Sequence, residues 1–307
     1  MNKHKIIIPG GAGFVGRNLV RFLISENIPP ENITVIDKNI EGLHSLKKFK
    51  INLIEADLSE KGVWYQAFFG KDIVIHLAAQ ISSCNEEDFI RNNIRTTENI
   101  IKASKDASIS KILYFSSAAV LSVRKDAYAS TKLKGEELIK QSGLTYCILQ
   151  PSMMYGPTDD KNIGYLISFA KKVPLFPIPG HGRWPRQPVY IDDICCLIMK
   201  LLTIFPENVV YSINGKDTIY FKDMVRDVFN ELGGVKFMLH LPLPVFKELM
   251  MAYQTICRNT HFTADQVDSL SSCEIFPEYP WWDEFDIKAT PFREGIRQMI
   301  QEEAKIT

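Results

Sequence analysis

Near its N-terminus the chain reads Lys5-Ile6-Ile7-Ile8-Pro9-Gly10-Gly11-Ala12-Gly13-Phe14-Val15-Gly16. The apolar run before the glycines is typical of a buried strand, and apolar residues at helical spacing over residues 14–25 predict a helix after them. A strand, a glycine turn and a helix in this order predict a dinucleotide site. Glycine lets the backbone approach a pyrophosphate, and the helix N-terminus offers unpaired N–H groups and a partial positive charge. We therefore expect the cofactor to contact Gly10, Gly13, Phe14, Val15 and Gly16.

An acidic residue follows the second predicted strand, which covers residues 33–36. Asp37 lies a little beyond the roughly 20-residue offset at which a carboxylate meets the adenosine ribose hydroxyls. A carboxylate there would repel a 2′-phosphate, so NAD is favoured over NADP as the cofactor. The adjacent Lys38 is the cation that could still accept NADP.

Composition narrows the class of protein. The 307 residues, of which 46% are hydrophobic, are enough for one large domain or for a large and a smaller one. The 36 basic and 36 acidic residues cancel to zero net charge, which is not the footprint of a nucleic-acid-binding protein. No metal-ligand spacing occurs among the cysteines, which are Cys84, Cys147, Cys195, Cys196, Cys257 and Cys273.

No targeting or membrane signal is evident. The N-terminus enters the first predicted strand without a signal peptide, and no apolar run is long enough to span a bilayer. We therefore expect no membrane span and a reduced, cytoplasmic setting.

Strand-like and helical patterns alternate through the first half of the chain. Strands are predicted over residues 51–55, 73–77, 112–115 and 146–149, and helices over 61–69, 87–105 and 128–141. Such alternation predicts an α/β fold, a doubly wound parallel (Rossmann) sheet with both faces covered. We assign residues 1–155 to this NAD-binding core.

The sequence pattern changes after Pro151. Residues 173–188 are rich in proline and glycine, as befits a loop that wraps a substrate. Helices are then predicted over 192–203, 221–232, 241–256 and 291–302, and a strand over 209–213. We assign residues 156–307 mainly to a smaller substrate-binding part, with some segments returning to the core.

Tyr128 and Lys132 are four residues apart on a predicted helix, so both lie on one face. A phenol has a pKa of about 10 and is a poor base at neutral pH. A lysine ammonium beside it would favour the phenolate and bring the tyrosine toward the working range. The pair lies after a predicted strand that ends in Ser116-Ser117, so we expect Tyr128 to move a proton.

Taken together, these motifs resemble those of an extended short-chain dehydrogenase/reductase, within the NAD-dependent nucleotide-sugar epimerase/dehydratase branch. The matching segments are Gly10–Gly16, Asp57-Leu58, His76–Ala79, Asn93–Asn99, Tyr114–Val120, Tyr128–Lys132, Pro151–Pro157, Arg186–Asp193, Thr290-Pro291 and Glu294–Ile296. The resemblance covers nearly the whole chain.

The resemblance implies a set of catalytic and substrate-binding roles. Tyr128 would be the acid/base and Lys132 its modulator, and both would also contact the cofactor. Ser117 would hydrogen-bond the reacting oxygen of the substrate. Arg186 would clamp a substrate diphosphate, a task that suits the geometry of its fork and its permanent charge.

The resemblance also implies further cofactor contacts. Asp57 and Leu58 would contact the adenine, and Pro151 would lie by the nicotinamide. The cofactor channel would be lined by Leu77, Ala78 and Ala79.

Several positions depart from the family pattern. The interval from Ser117 to Tyr128 is short, and Gln150 stands where the family usually has arginine. Ala118-Ala119 supply no carboxylate after Ser117, which disfavours the elimination of water by a 4,6-dehydratase.

The function implied is an NAD-dependent oxidoreductase that acts on a nucleotide-linked sugar, as an epimerase using transient oxidation. Three alternatives stay open: an NAD(P)H-dependent reductase of a keto-sugar nucleotide, a dehydrogenase of a steroid-like or other apolar alcohol, and a non-catalytic NAD(P)(H)-binding scaffold. Met153, Met154 and the apolar helix predicted over 241–256 suggest the apolar alcohol. The family resemblance further implies a homodimer, joined through the helices predicted over 87–105 and 128–141.

Overall fold

The computed structural model describes residues 4–123, 125–233, 237–256, 275–277 and 279–306. Its strands are β1 (Ile6–Pro9), β2 (Ile33–Asp37), β3 (Asn52–Glu55), β4 (Ile73–His76), β5 (Lys111–Phe115), β6 (Thr145–Pro151), β7 (Met154–Tyr155), β8 (Leu175–Pro179), β9 (Pro185–Arg186), β10 (Val189–Tyr190), β11 (Val209–Ile213), β12 (Ile219–Tyr220) and β13 (Phe237–Leu241). Its α-helices are α1 (Phe14–Ser25), α2 (Ile40–Leu46), α3 (Glu86–Phe89), α4 (Thr96–Asp106), α5 (Ala127–Gln141), α6 (Ile163–Lys172), α7 (Ile191–Ile204), α8 (Phe221–Leu232), α9 (Leu243–Ile256), α10 (Trp281–Glu284) and α11 (Phe292–Ile306).

The chain divides into two compact units. The first contains Met1–Ser152, Ile191–Ile213 and Glu278–Lys288, and the second contains Met153–Tyr190, Asn214–Pro277 and Ala289–Thr307. The chain therefore returns to the first unit twice after residue 152.

The first unit is built on a parallel sheet of seven strands in the order β3-β2-β1-β4-β5-β6-β11. Every residue of β1 and of β4 is buried, and both strands are apolar except for His76 at the end of β4. Helices flank the sheet, and the fold is the doubly wound α/β sheet that the alternation predicts.

The order of the strands reverses between β1 and β4. These neighbours pair in parallel, with Ile6 opposite Ile73 and Ile7 opposite Val74. In open α/β sheets, ligands bind beyond the carboxyl ends of the strands at such a reversal. The glycine turn follows β1 and the Leu77–Ala79 segment follows β4, so both motifs lie at this edge.

Two predicted helices of the first unit differ in detail. Residues 61–69 form a 3₁₀-helix over Val63–Phe68 rather than an α-helix. The helix predicted over 87–105 is present, but a wider π-turn over Ile90–Arg95 separates α3 from α4. Within that turn, the Asn93 amide donates to the Thr131 hydroxyl at 2.9 Å, which connects this helical segment to α5.

The second unit has its own hydrophobic core. Tyr155 is buried in this core, and its ring is tilted against those of Tyr190 and Phe292, with centroids 5.4 and 5.2 Å apart. A side chain at Gly295 would collide with the Tyr155 hydroxyl, so glycine is required for α11 to pack there. That this unit binds the substrate remains a prediction.

The second unit also contains short two-stranded pairings, of which β8 with β13 is the longest. The apolar helix predicted over 241–256 is α9, which begins at Leu243 because residues 237–241 pair as a strand. Two of the cysteines, Cys257 and Cys273, lie outside the described residues. No helix among the described residues has the length and apolar character needed to cross a membrane.

Candidate active site

The turn after β1 requires glycine at its first position. Gly10 has φ +80°, and a Cβ atom there would collide with the backbone of Ala78. The Leu77 N–H donates to the Pro9 carbonyl at 2.9 Å, which holds the ends of β1 and β4 together. The predicted cofactor residues Gly10, Leu77 and Ala78 are thus brought into contact.

The other two glycines of the motif have different surroundings. A Cβ at Gly16 would collide with the Gly11 backbone, so Gly16 lets α1 pack against the turn. At Gly13 the nearest atom would be the Gly10 carbonyl oxygen at 3.5 Å, an ordinary contact. Gly13 is therefore not required by the packing of the described residues.

The space at Gly13 lies at the N-terminus of α1, where Phe14 and Val15 form the first turn. Gly13 is the N-cap and supplies no side-chain hydrogen bond, and the first turn holds no acidic residue. Free N–H groups beside an open glycine surface fit a pyrophosphate. The residues of this turn are thus suited to a dinucleotide.

Asp37 is held against the same turn. Its Oδ2 accepts a hydrogen bond from the Ala12 N–H at 2.9 Å, and its Oδ1 accepts one from the Asn39 N–H at 3.0 Å. The carboxylate therefore lies between the glycine turn and the end of β2. Lys38 donates to the Asn92 side-chain oxygen at 2.7 Å.

Asp57 belongs to a polar cluster that the sequence motifs did not reveal. Its Oδ1 accepts from the Ser59 hydroxyl at 2.7 Å, and its Oδ2 pairs with Arg91 at 2.8 Å. Burial alone would raise the pKa of Asp57, but the Ser59 hydrogen bonds and the charges of Lys38 and Arg91 lower that pKa below its ordinary value. Asp57 is thereby held as an anion. Ser59 reaches Asp57 locally, two residues along the chain, whereas Arg91 lies 34 residues away and meets Asp57 only through the fold.

The neighbouring Leu58 is buried, and its carbonyl accepts from the Asn99 amide at 3.0 Å. Ala79 is partly buried at the end of the segment after β4, and Pro151 is buried as the last residue of β6. Because β4 and β6 run parallel in one sheet, their carboxyl ends lie at the same edge as the glycine turn.

Ser117 and Tyr128 are brought together by α5. Asp126 caps this helix by accepting from the Ala129 N–H at 2.7 Å, which places Tyr128 in the first turn. The Ser117 hydroxyl acts on the Tyr128 hydroxyl and lowers the pKa of Tyr128. The two predicted catalytic hydroxyls thus form one polar pair at the carboxyl end of β5.

The proton affinity of Tyr128 differs from the sequence-based expectation. Desolvation of the hydroxyl raises the pKa of Tyr128 above 10.0, the Ser117 hydrogen bond lowers it, and the Asp126 charge raises it. Burial outweighs the hydrogen bond, so the tyrosine is a neutral phenol in this structure. The expected lowering by Lys132 is therefore not seen here.

Lys132 lies one helical turn after Tyr128 and is only 2% exposed. Its Nζ donates to the Phe115 carbonyl and lies 4.2 Å from the centroid of the Tyr114 ring. Burial lowers the pKa of Lys132 from 10.5 to about 7, although the charge of Glu136 acts to raise it. Because this value is near neutrality, Lys132 can gain or lose a proton in the physiological range.

A buried polar network surrounds Lys132. From the sequence, His76 and Gln150 are named without a role at this site, and Glu136 is not singled out. The Glu136 carboxylate accepts from the Gln150 amide at 2.8 Å, and both side chains are buried. His76 is fully buried and meets Tyr114 edge-on, with ring centroids 5.1 Å apart and an angle of 70° between the ring planes. His76 and Gln150 stand out in the sequence as polar residues that follow apolar runs, whereas Glu136 lies in a polar stretch that gives no such signal.

Arg186 is the one predicted site residue that lies in the second unit. It belongs to β9, which pairs antiparallel with β12, and its side chain is partly buried. One guanidinium nitrogen donates to the Pro185 carbonyl at 2.6 Å. Its predicted diphosphate contact remains a prediction.

The chain is similar to proteins of several activities. A 3beta-hydroxysteroid-dehydrogenase/decarboxylase (isoform 2) of Arabidopsis thaliana is 25% identical, over 98% of this chain and 62% of the plant protein. The chain therefore spans less than two thirds of that relative. A dTDP-glucose 4,6-dehydratase of Streptomyces niveus is 22% identical, over 78% of this chain and 81% of the dehydratase.

Solved structures share the fold. The Bordetella bronchiseptica enzyme WbmG, crystallised with NAD and UDP, superposes with a TM-score of 0.76 at 19% identity, over 99% of this chain and 96% of WbmG. The model of the NAD dependent epimerase/dehydratase family matches residues 6–213, about two thirds of the chain. The glycine turn, Asp37 and the Ser117–Tyr128–Lys132 cluster all fall within this match, and the chain belongs to the NAD-dependent epimerase/dehydratase family.

Proposed function

We propose that this protein is an NAD-dependent oxidoreductase that acts on a nucleotide-linked sugar, as an epimerase using transient oxidation. The observation that carries the proposal is that Ser117 acts on the Tyr128 hydroxyl, with the buried Lys132 one helical turn away. This cluster follows β5 at the sheet edge where the glycine turn follows β1. A proton-transfer group and a dinucleotide turn at one edge suit the oxidation of a secondary alcohol.

Each residue of the cluster has a separate task. Tyr128 takes the hydroxyl proton of the sugar and returns it, and Ser117 holds the reacting oxygen by a hydrogen bond. Lys132 in its ammonium form stabilises the phenolate that Tyr128 becomes after it gives up its proton. When bound, NAD supplies the hydride acceptor and donor for this chemistry.

The surroundings of Asp37 support NAD over NADP. Its carboxylate is fixed by two backbone N–H groups beside the glycine turn, so a 2′-phosphate there would meet a fixed negative charge. The Lys38 ammonium donates a hydrogen bond to the Asn92 side-chain oxygen. Calorimetric titration should give tighter binding of NAD(H) than of NADP(H), and Asp37→Ser should narrow the difference. Equal affinities in the wild type would overturn the cofactor assignment.

The catalytic assignment is tested by Tyr128→Phe. This change removes the proton-transferring hydroxyl and keeps the ring, so turnover should fall by about 10²–10⁴ while NAD affinity stays within a few-fold. Product analysis with UDP- and dTDP-sugars separates an epimerase, which returns an isomer, from a reductase, which consumes NADH. Unchanged turnover in the variant would rule out Tyr128 as the proton carrier.

The substrate class is tested at Arg186. If this guanidinium binds a diphosphate, UDP or dTDP should bind without its sugar, and Arg186→Ala should weaken that binding by about 1.5–3 kcal/mol. NAD affinity should not change. A wild-type protein that binds no nucleoside diphosphate in the presence of NAD would overturn the sugar-nucleotide proposal.

A dehydrogenase of an apolar alcohol is the second candidate. The plant relative that matches 98% of this chain is a steroid dehydrogenase by name. In the second unit, Phe237, Leu249 and Met251 are at least half exposed. Turnover of sterol substrates, with no nucleotide binding, would favour this candidate.

A further inference from the structure

The network behind Lys132 contains a carboxylate that the proposed reaction does not use. Glu136 lies one turn after Lys132 on α5 and is only 1% exposed. One of its oxygens accepts from the Gln150 amide at 2.8 Å, and the other pairs with Lys140 at 3.2 Å. Removing a carboxylate from water at this depth is costly, and hydrogen bonds together with a nearby positive charge are needed to offset that cost.

The partner on β6 is neutral. The Gln150 amide satisfies one Glu136 oxygen and adds no positive charge, so it leaves the field of the carboxylate undiminished. The Gln150 oxygen in turn accepts from the Ser212 hydroxyl on β11 at 3.4 Å. The Lys140 side chain is 40% exposed, whereas that of Glu136 is only 2% exposed. Solvent therefore screens the Lys140 charge more strongly than the Glu136 charge.

The other groups that face Lys132 supply no negative charge. From β5, Tyr114 presents its ring and Phe115 its carbonyl. From β4, His76 is held neutral, because burial first and the charge of Lys132 second lower its pKa well below 6.5. On α5 itself, Tyr128 is a neutral phenol.

The tautomer of His76 can also be assigned. The Thr97 hydroxyl donates to the Asn93 carbonyl at 2.6 Å, so it must accept from His76 Nε2 at 2.9 Å. His76 therefore carries its hydrogen on Nε2. Among the described residues that act on the charge of Lys132, Glu136 is the acidic one.

We propose that Glu136 is a positioning residue that extends the ammonium form of Lys132 to higher pH, and that Gln150 holds Glu136 without neutralising it. Only one part of this inference rests on the proposed function, namely that the Lys132 ammonium stabilises the Tyr128 phenolate. A carboxylate one turn behind the lysine then sets the upper pH limit of the reaction.

The charge of Lys132 can be measured without a substrate. The full-length protein is labelled with ¹³C/¹⁵N-lysine, and the Lys132 side-chain signal is assigned by its loss in Lys132→Arg. The signal is then titrated by NMR in the wild type and in Glu136→Gln, with and without NAD. Because Glu136→Gln keeps the shape and removes the charge, the Lys132 midpoint should fall by about one pH unit or more.

Two further variants complete the test. Gln150→Met keeps the Glu136 carboxylate but removes its neutral donor. The Lys132 midpoint should therefore fall by less than in Glu136→Gln. This variant replaces Glu136→Gln as the test if Glu136→Gln does not fold. Lys140→Met removes the competing cation from Glu136 and should not lower the midpoint. If an active substrate is known, the alkaline limb of the rate profile should move to lower pH in Glu136→Gln, as the NMR midpoint does.

The outcomes separate the two proposals. A Lys132 midpoint that is the same in folded Glu136→Gln and in the wild type would overturn the inference, whatever the turnover. A protein that binds neither NAD nor nucleotides, yet shows the lowered midpoint, would instead count against the proposed function and leave the Glu136–Lys132 coupling in place.

Discussion

Lys132 is the residue at which burial and charge conflict most directly. It is 2% exposed, and burial lowers its pKa to about 7. In the unfolded chain the same amine titrates near 10.4. Between about pH 7 and about pH 10.4 the unfolded chain binds more protons at this position than the folded chain does. Lys132 therefore makes the free energy of unfolding rise with pH across this range. Below about pH 7 the full cost of burying the ammonium is present.

This conflict predicts a pH-dependent effect of Lys132→Met. At pH 6 the variant should be more stable than the wild type by roughly 2–4 kcal/mol, because the buried ammonium is removed. The advantage should shrink as the pH rises from about 7 toward 10, where the wild-type amine is neutral in the folded state. Urea unfolding at several pH values measures the difference. An advantage that stays constant with pH would contradict the ionisation described for Lys132.

At the scale of secondary-structure elements, α5 is the helix that carries the candidate catalytic residues Tyr128 and Lys132. Asp126 caps its N-terminus, and Tyr128 and Lys132 occupy its first two turns. The position of Tyr128 relative to Ser117 therefore depends on where this helix starts. A weaker cap would fray the turn that holds the tyrosine.

We therefore predict that Asp126→Ala destabilises the protein by about 1 kcal/mol and lowers turnover more than Asp126→Asn does. Asparagine retains the capping oxygen, so it is the matched control for the loss of the cap. Because the Asp126 charge raises the pKa of Tyr128, Asp126→Asn should also lower that pKa slightly. Equal stability of the alanine variant and the wild type would show that the cap does not hold α5.

At the scale of the whole molecule, each of the two units has its own core. The first unit holds the predicted cofactor residues and the Ser117–Tyr128–Lys132 cluster, and the second holds Arg186. The predicted NAD contacts and the predicted diphosphate contact thus belong to different units, so binding of the two ligands can be tested separately.

We also predict a homodimer, as the family resemblance implies. The chain has a mass of 35.0 kDa, so light scattering at micromolar concentration should give twice 35.0 kDa. Closed pairs of this kind are the commonest oligomers of soluble proteins. A mass that stays at 35.0 kDa when the concentration is raised would contradict the prediction.

Much of the first unit follows from local sequence. The glycine turn, the buried strands and α5 could be predicted because their signals lie within a few neighbouring residues, as in Ile6–Pro9. The prediction was less accurate where backbone geometry responds to distant partners. The π-turn over Ile90–Arg95 is an example, since Asn93 within it reaches Thr131, which is 38 residues away.

By itself, the sequence determined the class of fold and the glycine turn after β1, because these signals lie in neighbouring residues. The cofactor contacts and the candidate catalytic residues that it named stay predictions. Only the tertiary structure decided the electrostatics around those residues. Glu136 and Gln150 meet across a helix and a strand, and Asp57 meets Arg91 across 34 residues. Burial and charge pairing depend on which side chains the fold places together, and spacing along the chain does not specify them.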